Sequence, residues 1–435
     1  MNGYDPMNGN PMNGNLIIIG NGMASNRILE TLGTEHPFHA IHVFSDERCS
    51  HYNRIMLSPL LAQETTLAGI TPHSTEWYAE RRIQIHLSQP VSNIDTGQQN
   101  ITTHSGQCFD YSKLVFATGS RSAIPALPGT DATNVLGFRT MSDVDHMLDR
   151  IPDIQHATVI GAGLLGVEAA VGLKAQGIDV TLMHRNPVLM NRQLDTIASD
   201  ILKSELKRRG IDVLTGVNPE ALLTHNSSEA RAVEYVVRND PQRIKYHRPT
   251  QLVVFATGIL PNKELAADAG LAVDRGIGVN AWMQTSAEHV FSLGECCQYE
   301  HQTYGLVAPI WDQATVVAQQ LLGQQTDVAP YQEREHLTKL KVSGIDIHSI
   351  GQFNPSPEAD PLTGQQDEVI TLEDLDKGIY KKLVINNQRI KGALCIGDVI
   401  DSGWYYDLMN QDANIHSYRD LLILGQRWAM TSNAA

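Results

Sequence analysis

Residues 157–168 have the sequence Ala-Thr-Val-Ile-Gly-Ala-Gly-Leu-Leu-Gly-Val-Glu, which combines an apolar strand, a glycine-rich turn and the start of a helix. Gly161, Gly163 and Gly166 have the G-x-G-x-x-G spacing of a dinucleotide-binding turn. The first glycine permits a sharp bend, the second lets the backbone approach a pyrophosphate, and the third packs helix on strand. Because the helix presents unpaired N–H groups to the phosphates, we expect Leu164 and Leu165 to lie beside the same ligand.

A second, less complete turn lies nearer the N-terminus, where residues 16–25 have the sequence Leu-Ile-Ile-Ile-Gly-Asn-Gly-Met-Ala-Ser. Ser25 replaces the third glycine and is still small. Each turn is also followed by a strand that ends in Ala-Thr-Gly. Two dinucleotides bound in one chain would allow hydride transfer between them. The residues predicted to bind the first dinucleotide in these segments are Gly20, Gly22, Met23, Ala24, Thr118 and Gly119, and Gly258 is the counterpart for the second.

Composition excludes several classes of protein. The 435 residues carry a net charge of −15, which argues against binding to nucleic acid or to an anionic membrane surface. No apolar run reaches the ~20 residues of a membrane span. The five cysteines form no C-x-x-C pair, so we predict no metal site, no iron–sulfur cluster and a reducing, cytoplasmic location. The adjacent Cys296 and Cys297 are expected to be reduced thiols rather than a strained disulfide.

Two acids follow the second predicted strand, at the place where a dinucleotide presents its ribose hydroxyls. Asp46 is the preferred ligand because it is nearer the strand end, and Glu47 is the neighbouring candidate. The alternative is that both acids belong to a solvated loop. Arg54 follows and is a candidate to neutralise a pyrophosphate, although an arginine in such a loop is also a common surface residue.

The corresponding strand of the second half, residues 178–183, ends in His184 and Arg185 instead of an acid. A 2′-phosphate would meet no carboxylate there, so we slightly favour NADPH, with acceptance of both nicotinamides as the alternative. Glu168 lies two residues past the third glycine and is predicted to position the nicotinamide. Its alternative role is to balance the helix dipole.

Further along, Gly294 and Glu295 follow a short strand, and an acid at such a turn can hold ribityl hydroxyls. The helix expected after Pro309 would direct its positive end at a flavin. The segment 358–376 contains seven acids. We interpret it as a solvated loop, with a docking surface for a redox partner as the alternative.

These motifs together resemble the FAD-dependent pyridine nucleotide oxidoreductases that have two dinucleotide domains. Four tracts, at 18–24, 52–58, 189–195 and 294–309, are similar to one branch of that family, and the resemblance covers about residues 15–435. The branch comprises the flavoprotein part of assimilatory NAD(P)H nitrite reductases and the electron-transfer subunits of assimilatory nitrate reductases. Pro59 occupies a position where the wider family often has lysine, so we assume no lysine–glutamate pair with Glu168.

The resemblance implies an α/β fold with two Rossmann-like domains and a smaller α+β C-terminal domain. We predict a disordered tail at 1–14, an FAD domain at 15–140 and 259–325, an NAD(P) domain at 141–258 and a C-terminal domain at 326–435. The implied protein is an NAD(P)H-oxidising flavoprotein that passes electrons to a separate protein, namely the molybdenum-type catalytic subunit of assimilatory nitrate reductase. The alternatives are a rubredoxin or ferredoxin reductase and a non-turnover FAD-binding subunit. Without iron–sulfur and siroheme segments, the chain is not expected to reduce nitrite itself.

Overall fold

The computed structural model describes residues 14–225, 228–323, 329–342, 344–355, 358, 364 and 366–431. The predicted tail therefore lies outside the described residues, except for residue 14. The chain divides into two compact units, one formed by residues up to Ser122 together with Ile259–Arg334, the other by Ala123–Gly258 together with the residues from Glu335 onward. The division into three domains stays a prediction.

The first unit is built on a parallel sheet whose central strand leads into the first glycine turn. Its strands are, in spatial order, Val290–Ser292, Lys113–Phe116, Leu16–Ile19, Ile41–Phe44 and Ile83–His86. The helices Met23–Leu32 and Val307–Leu321 share one apolar core with this sheet. The central strand is an apolar run because both of its faces are buried, as is usual in parallel sheets.

Shorter elements complete the first unit. The small sheets contain Val91–Asp95, Asn100–Thr103 and Cys108–Asp110; Ile277–Val279, Cys297–Tyr299 and Gln302–Thr303; and Ser120–Ser122 with Ile259–Pro261. The short helices are Arg54–Met56, Leu57–Leu61, Leu67–Ile70, Thr75–Glu80, Glu264–Asp268 and Gly294–Cys296.

The second unit repeats the plan of the first. Its parallel sheet has the order Asp212–Thr215, Asp179–His184, His156–Ile160, Leu252–Phe255 and Val135–Gly137. The accompanying helices are Met141–Arg150, the short Ile151–Asp153, Leu164–Ala175 and Thr196–Arg208, and an antiparallel sheet is formed by Val217–His225, Glu229–Val237 and Lys245–Pro249. A capping box of Thr140 and Asp143 fixes the start of the helix Met141–Arg150.

An antiparallel sheet, here called the C-terminal sheet, belongs to the same unit. Its strands have the order Thr338–Val342, Ile345–Gly351, Arg389–Ile396, Ile379–Asn386 and Glu368–Asp374. The helices Leu375–Lys377, Ser402–Asn410, His416–Leu424 and Gln426–Thr431 accompany it. The fold class predicted from the sequence, α/β with two Rossmann-like sheets and a smaller α+β part, is confirmed.

The predicted acidic loop at 358–376 is wrong over part of its length. Glu368–Asp374 is the edge strand of the C-terminal sheet, because Ile370 and Leu372 lie on one face of the strand and pack on the core. Residues 356–357, 359–363 and 365 lie outside the described chain, so the docking interpretation of the loop is untested there. Among the described helices, none is long and apolar enough to cross a membrane.

Candidate functional site

The first glycine turn brings the sheet backbone very close to a neighbouring strand. Gly20 has a φ of +106°, and a Cβ there would lie 2.1 Å from the carbonyl oxygen of Ala117. Only glycine fits this position. Gly22 is the N-cap of the helix that begins Met23-Ala24, and it has no side chain to occupy the first N–H groups of the helix. Those N–H groups can therefore bind an anion.

Buried polar atoms without partners lie in this turn. Both polar atoms of the Asn21 amide and the Ser25 hydroxyl are buried and have no hydrogen bond within the described chain. Buried polar groups are normally paired, and an unpaired one costs about 1–3 kcal/mol. A bound dinucleotide, rich in phosphate oxygens and hydroxyls, would supply the missing partners.

Of the two candidate acids, Glu47 is the one connected to the first turn, through its hydrogen bond with Arg54. Its carboxylate accepts a hydrogen bond from the Tyr52 hydroxyl at 2.7 Å and another from the Arg54 guanidinium. The Nε of Arg54 lies 3.9 Å from where a Cβ on Gly22 would stand. Asp46, the residue preferred from the sequence, is exposed.

The remaining predicted flavin-side residues follow the carboxyl ends of neighbouring parallel strands, at the same edge of the sheet as the first turn. The Thr118 hydroxyl donates to the Asn262 carbonyl at 2.8 Å, and the Asn262 amide donates back to the Thr118 carbonyl at 2.9 Å. Gly119 has a φ of +62°. The Ser120 hydroxyl donates to Glu295 at 2.7 Å. Asn262 was not anticipated, since nothing in its local sequence distinguishes it.

Gly294 connects this group to the first turn. A Cβ on Gly294 would lie 3.2 Å from the Cβ of Ala24, and its N–H donates to the Gln313 side chain at 2.8 Å. Gln313 is fully buried, and its Nε2 has no partner within the described chain. The sequence did not single it out, because the helix Val307–Leu321 also contains Gln319 and Gln320. The predicted residues 20–24, 118–119 and 294–295 thus surround one locus.

The second glycine turn has the same geometry as the first and is tighter at its third position. Gly161 has a φ of +106°, and its Cβ would lie 2.3 Å from the Ala256 carbonyl oxygen. A Cβ on Gly166 would lie 1.7 Å from the Gly161 carbonyl oxygen. Gly163 caps the helix that begins Leu164-Leu165, and both leucines are half-buried. Gly161 and Gly166 are therefore steric requirements of the fold, whereas a Cβ on Gly163 would meet no protein atom within 4 Å.

The end of the neighbouring strand carries His184 and Arg185, and Arg238 reaches it from the end of the strand Glu229–Val237. The Nδ1 of His184 accepts a hydrogen bond from the Ala162 N–H at 3.2 Å, and its Nε2 is buried without a partner in the described chain. Burial lowers the pKa of His184. Arg185 is exposed, and its carbonyl accepts a hydrogen bond from Arg238 at 3.4 Å. The sequence did not point to Arg238, because it lies 53 positions from Arg185.

Glu168 is a carboxyl in an apolar environment. It is the fifth residue of the helix Leu164–Ala175, so it lies in the second turn of that helix. Burial raises the pKa of Glu168 to about 7. In the described part of the chain no cation contacts this carboxyl. Gly258, at the end of the adjacent strand, has a φ of +122° and its carbonyl accepts a hydrogen bond from the Ala123 N–H at 2.9 Å.

The adjacent cysteines form no disulfide with each other. Cys296 and Cys297 are free, buried thiols. Among the described residues, no three His, Cys, Asp or Glu side chains are grouped so as to hold a metal ion.

Comparison with known proteins gives two matches to family models. Residues 14–320 match the pyridine nucleotide-disulphide oxidoreductase family, and residues 337–413 match the rubredoxin NAD+ reductase C-terminal domain. The chain is 37% identical to the NAD(P)H nitrite reductase of Bacillus subtilis (strain 168), over 94% of this chain and 49% of that protein. It is 35% identical to the assimilatory nitrate reductase electron transfer subunit of the same strain, over 92% of this chain and 50% of that protein.

A ferredoxin reductase from Rhodopseudomonas palustris has the same fold. The TM-score is 0.80, with 23% identity, 92% of this chain covered and 96% of the other. The chain thus spans about half the length of the curated relatives it matches and nearly all of this reductase.

FAD and NAD(P)H are the cofactors typical of the matched family, and the residues present fit both groups. In the first turn, the unpaired Asn21 and Ser25 atoms and the uncapped helix start offer hydrogen-bond partners to a dinucleotide. In the second turn, the unpaired His184 Nε2 and the helix start after Gly163 offer the same.

Proposed function

The chain belongs to the pyridine nucleotide-disulphide oxidoreductase family, and from that premise we propose that it oxidises NAD(P)H through FAD and passes the electrons to a separate redox protein. Members of the family are NAD(P)H oxidoreductases. We propose further that the acceptor is the molybdenum-type catalytic subunit of an assimilatory nitrate reductase, in a reducing cytoplasm.

One observation carries this choice of acceptor. The chain is similar over nearly its whole length to a protein whose name is that of an electron transfer subunit. Its five cysteines, without a C-x-x-C pair, support the same reading, because they give the electrons no cluster to enter within these residues.

The FAD-side residues are proposed to bind the dinucleotide and to neutralise its pyrophosphate. The helix start after Gly22 and the Arg54 guanidinium would hold the pyrophosphate. Glu47 would accept hydrogen bonds from the ribose hydroxyls, and the exposed Asp46 is the alternative acceptor. Thr118, Gly119, Gly294 and Glu295 would line the path of the ribityl chain and flavin. Gly20, Met23 and Ala24 complete the set of residues proposed to bind FAD.

The residues of the second turn are proposed to bind NAD(P)H and to orient its nicotinamide. The turn at 161–166 with Leu164 and Leu165 would hold the pyrophosphate, and Gly258 would let the nicotinamide end pass close to the backbone. Glu168 would position the nicotinamide. When bound, the two cofactors supply hydride transfer from the nicotinamide to the flavin and the later release of the electrons.

We propose a preference for NADPH. Arg185 and Arg238 carry two guanidiniums at the strand end where an NAD-specific site has an acid, and guanidiniums recognise phosphate bidentately. The R185A variant should raise the KM for NADPH about tenfold and leave the KM for NADH unchanged. An equal rise for both nucleotides would contradict this preference.

A rubredoxin or ferredoxin reductase is the second candidate, favoured by the match of residues 337–413 to a rubredoxin reductase domain. Capture of partners from nitrate-grown cells, followed by anaerobic reoxidation of the reduced protein, separates the two. We expect nitrate to reoxidise the flavin only when the recovered partner is present. Reoxidation by a small C-x-x-C protein, with no response to the nitrate reductase subunit, would favour the second candidate. If neither NADPH nor NADH reduces the flavin, the remaining candidate function is that of an FAD-binding subunit without turnover.

A further inference from the structure

The second glycine turn is covered by a loop, residues 185–195, that runs from the strand Asp179–His184 to the helix Thr196–Arg208. The N–H of Met190 donates to the carbonyl of Ala162, inside the turn, at 2.8 Å. Leu189 and Met190 are buried. The loop is therefore attached to the backbone that the nucleotide phosphates would approach.

The far end of the loop is Asp195, and the two residues before it are hydrogen-bonded to Met190. The N–H groups of Gln193 and Leu194 donate to the Met190 carbonyl at 2.7 and 2.9 Å. Asp195 follows at once and caps the helix Thr196–Arg208 by accepting from the Ala198 N–H at 3.0 Å. Hydrogen bonds and the short segment 193–195 thus connect Asp195 through Met190 to Ala162.

Asp195 is held by the C-terminal sheet. Its Oδ2 accepts a hydrogen bond from the Tyr380 hydroxyl at 2.8 Å and another from the Lys382 ammonium at 2.9 Å. Tyr380 and Lys382 are 1% and 7% exposed, so the bonds form away from solvent, where they are stronger than surface ion pairs. The two residues alternate along the strand Ile379–Asn386 and so point to the same face.

We propose that Tyr380 and Lys382 are positioning residues for the nicotinamide dinucleotide, acting through Asp195 and the loop 185–195 on the glycine turn at Gly161–Gly166. The C-terminal sheet thereby takes part in NAD(P)H binding without touching the nucleotide. This inference rests on the proposed function, because it needs the dinucleotide to bind at that turn. It assigns to the C-terminal sheet a task other than contact with an acceptor.

The same strand offers a matched control. Lys381 is as buried as Lys382 but points to the opposite face, where its ammonium pairs with Asp398 at 2.7 Å and with Asp401 at 3.6 Å. Both of those acids lie beyond the C-terminal sheet strands and not on the loop. Replacing either lysine with methionine leaves an acid without its buried partner, so both variants should lose stability. Only the Lys382 variant should alter the loop.

The test uses the FAD-loaded full chain and calorimetric titration with NADP+ and with NAD+. We expect K382M to bind the preferred nucleotide about tenfold more weakly and Y380F about threefold more weakly, within the range of ordinary coupling between sites. K381M should bind it within about twofold of wild type. With ferricyanide as acceptor, KM for the nucleotide should rise in K382M while kcat stays near its wild-type value.

The possible outcomes are distinct. Equal loss of affinity in K381M and K382M would show that general destabilisation is responsible and would overturn the inference. So would wild-type affinity in K382M. If K382M does not fold, Y380F supplies the same comparison with K381M, and unchanged affinity in Y380F would again overturn it. If the wild-type chain itself binds neither nucleotide, the proposed function fails and the inference falls with it.

Discussion

Replacing Gly166 with alanine should severely damage the second glycine turn. The new Cβ would lie 1.7 Å from the Gly161 carbonyl oxygen and 2.8 Å from its carbon, whereas an ordinary contact begins at 3.4 Å. Both opposing atoms are backbone, so neither can rotate away. The helix Leu164–Ala175 must withdraw from the strand, at a cost near the upper end of overpacking, about 3 kcal/mol.

Gly163 provides the contrast within the same turn. A Cβ on Gly163 meets no atom within 4 Å, so G163A should keep its stability within about 0.5 kcal/mol of wild type. It should nevertheless bind NADP+ weakly, because the methyl group occupies the place that a pyrophosphate would approach. G166A should lose both stability and affinity.

Urea unfolding and calorimetric binding, measured on both variants, separate these two effects. In both variants the flavin-to-protein ratio should stay at the wild-type value, since the first turn belongs to the other compact unit. A G166A protein with a wild-type urea midpoint would refute the steric reasoning. A G163A protein with wild-type nucleotide affinity would refute the placement of the pyrophosphate.

Three further predictions concern charge. Burial raises the pKa of Glu168 to about 7 in the folded chain, whereas an unfolded glutamate ionises near 4.5, so the ionised form costs stability above pH 7, by up to about 3 kcal/mol. E168Q should therefore be more stable than wild type at pH 8, with the difference shrinking towards pH 5; an equal urea midpoint at pH 8 would contradict this. R54M should lose FAD on gel filtration, because the guanidinium is removed from Gly22 while Glu47 stays, and full retention of flavin would argue against the pyrophosphate role. Burial lowers the pKa values of both His42 and His86, whose ring nitrogens lie 3.0 Å apart, so the unfolded chain takes up protons first as the pH falls. The free energy of unfolding should be highest above pH 6.5 and should fall towards pH 5, less steeply in H86N than in wild type. Parallel pH profiles of the two proteins would show that the histidine pair is not the cause.

The sequence was most informative where local pattern and burial agree. The strands Leu16–Ile19 and Ile41–Phe44 and the helix Met141–Arg150 are bounded by local signals, namely glycine, polar residues and a capping box. The helix starts were less well predicted. The helix expected after Pro309 begins at Val307, since proline is tolerated in a first helical turn.

Contacts between distant residues were not predictable from one sequence. Asp195 and Tyr380 are separated by 185 positions, and no local pattern connects them. The choice between Asp46 and Glu47 depended likewise on which carboxylate Arg54 and Tyr52 reach, a fact of tertiary structure. The strand Glu368–Asp374 was interpreted as a loop because its acids dominate the composition, while its alternate apolar residues supply the packing.

Hydride transfer from NAD(P)H to the flavin is tested by an anaerobic titration of the purified, FAD-loaded chain with NADPH and, separately, with NADH, followed in the visible flavin band. We expect about one equivalent of the preferred nucleotide to bleach the band, because hydride transfer carries two electrons to one flavin. We also expect the bleached protein to keep its electrons when nitrate alone is added. A flavin band unchanged by an excess of both nucleotides would show that the chain is not an NAD(P)H-oxidising flavoprotein.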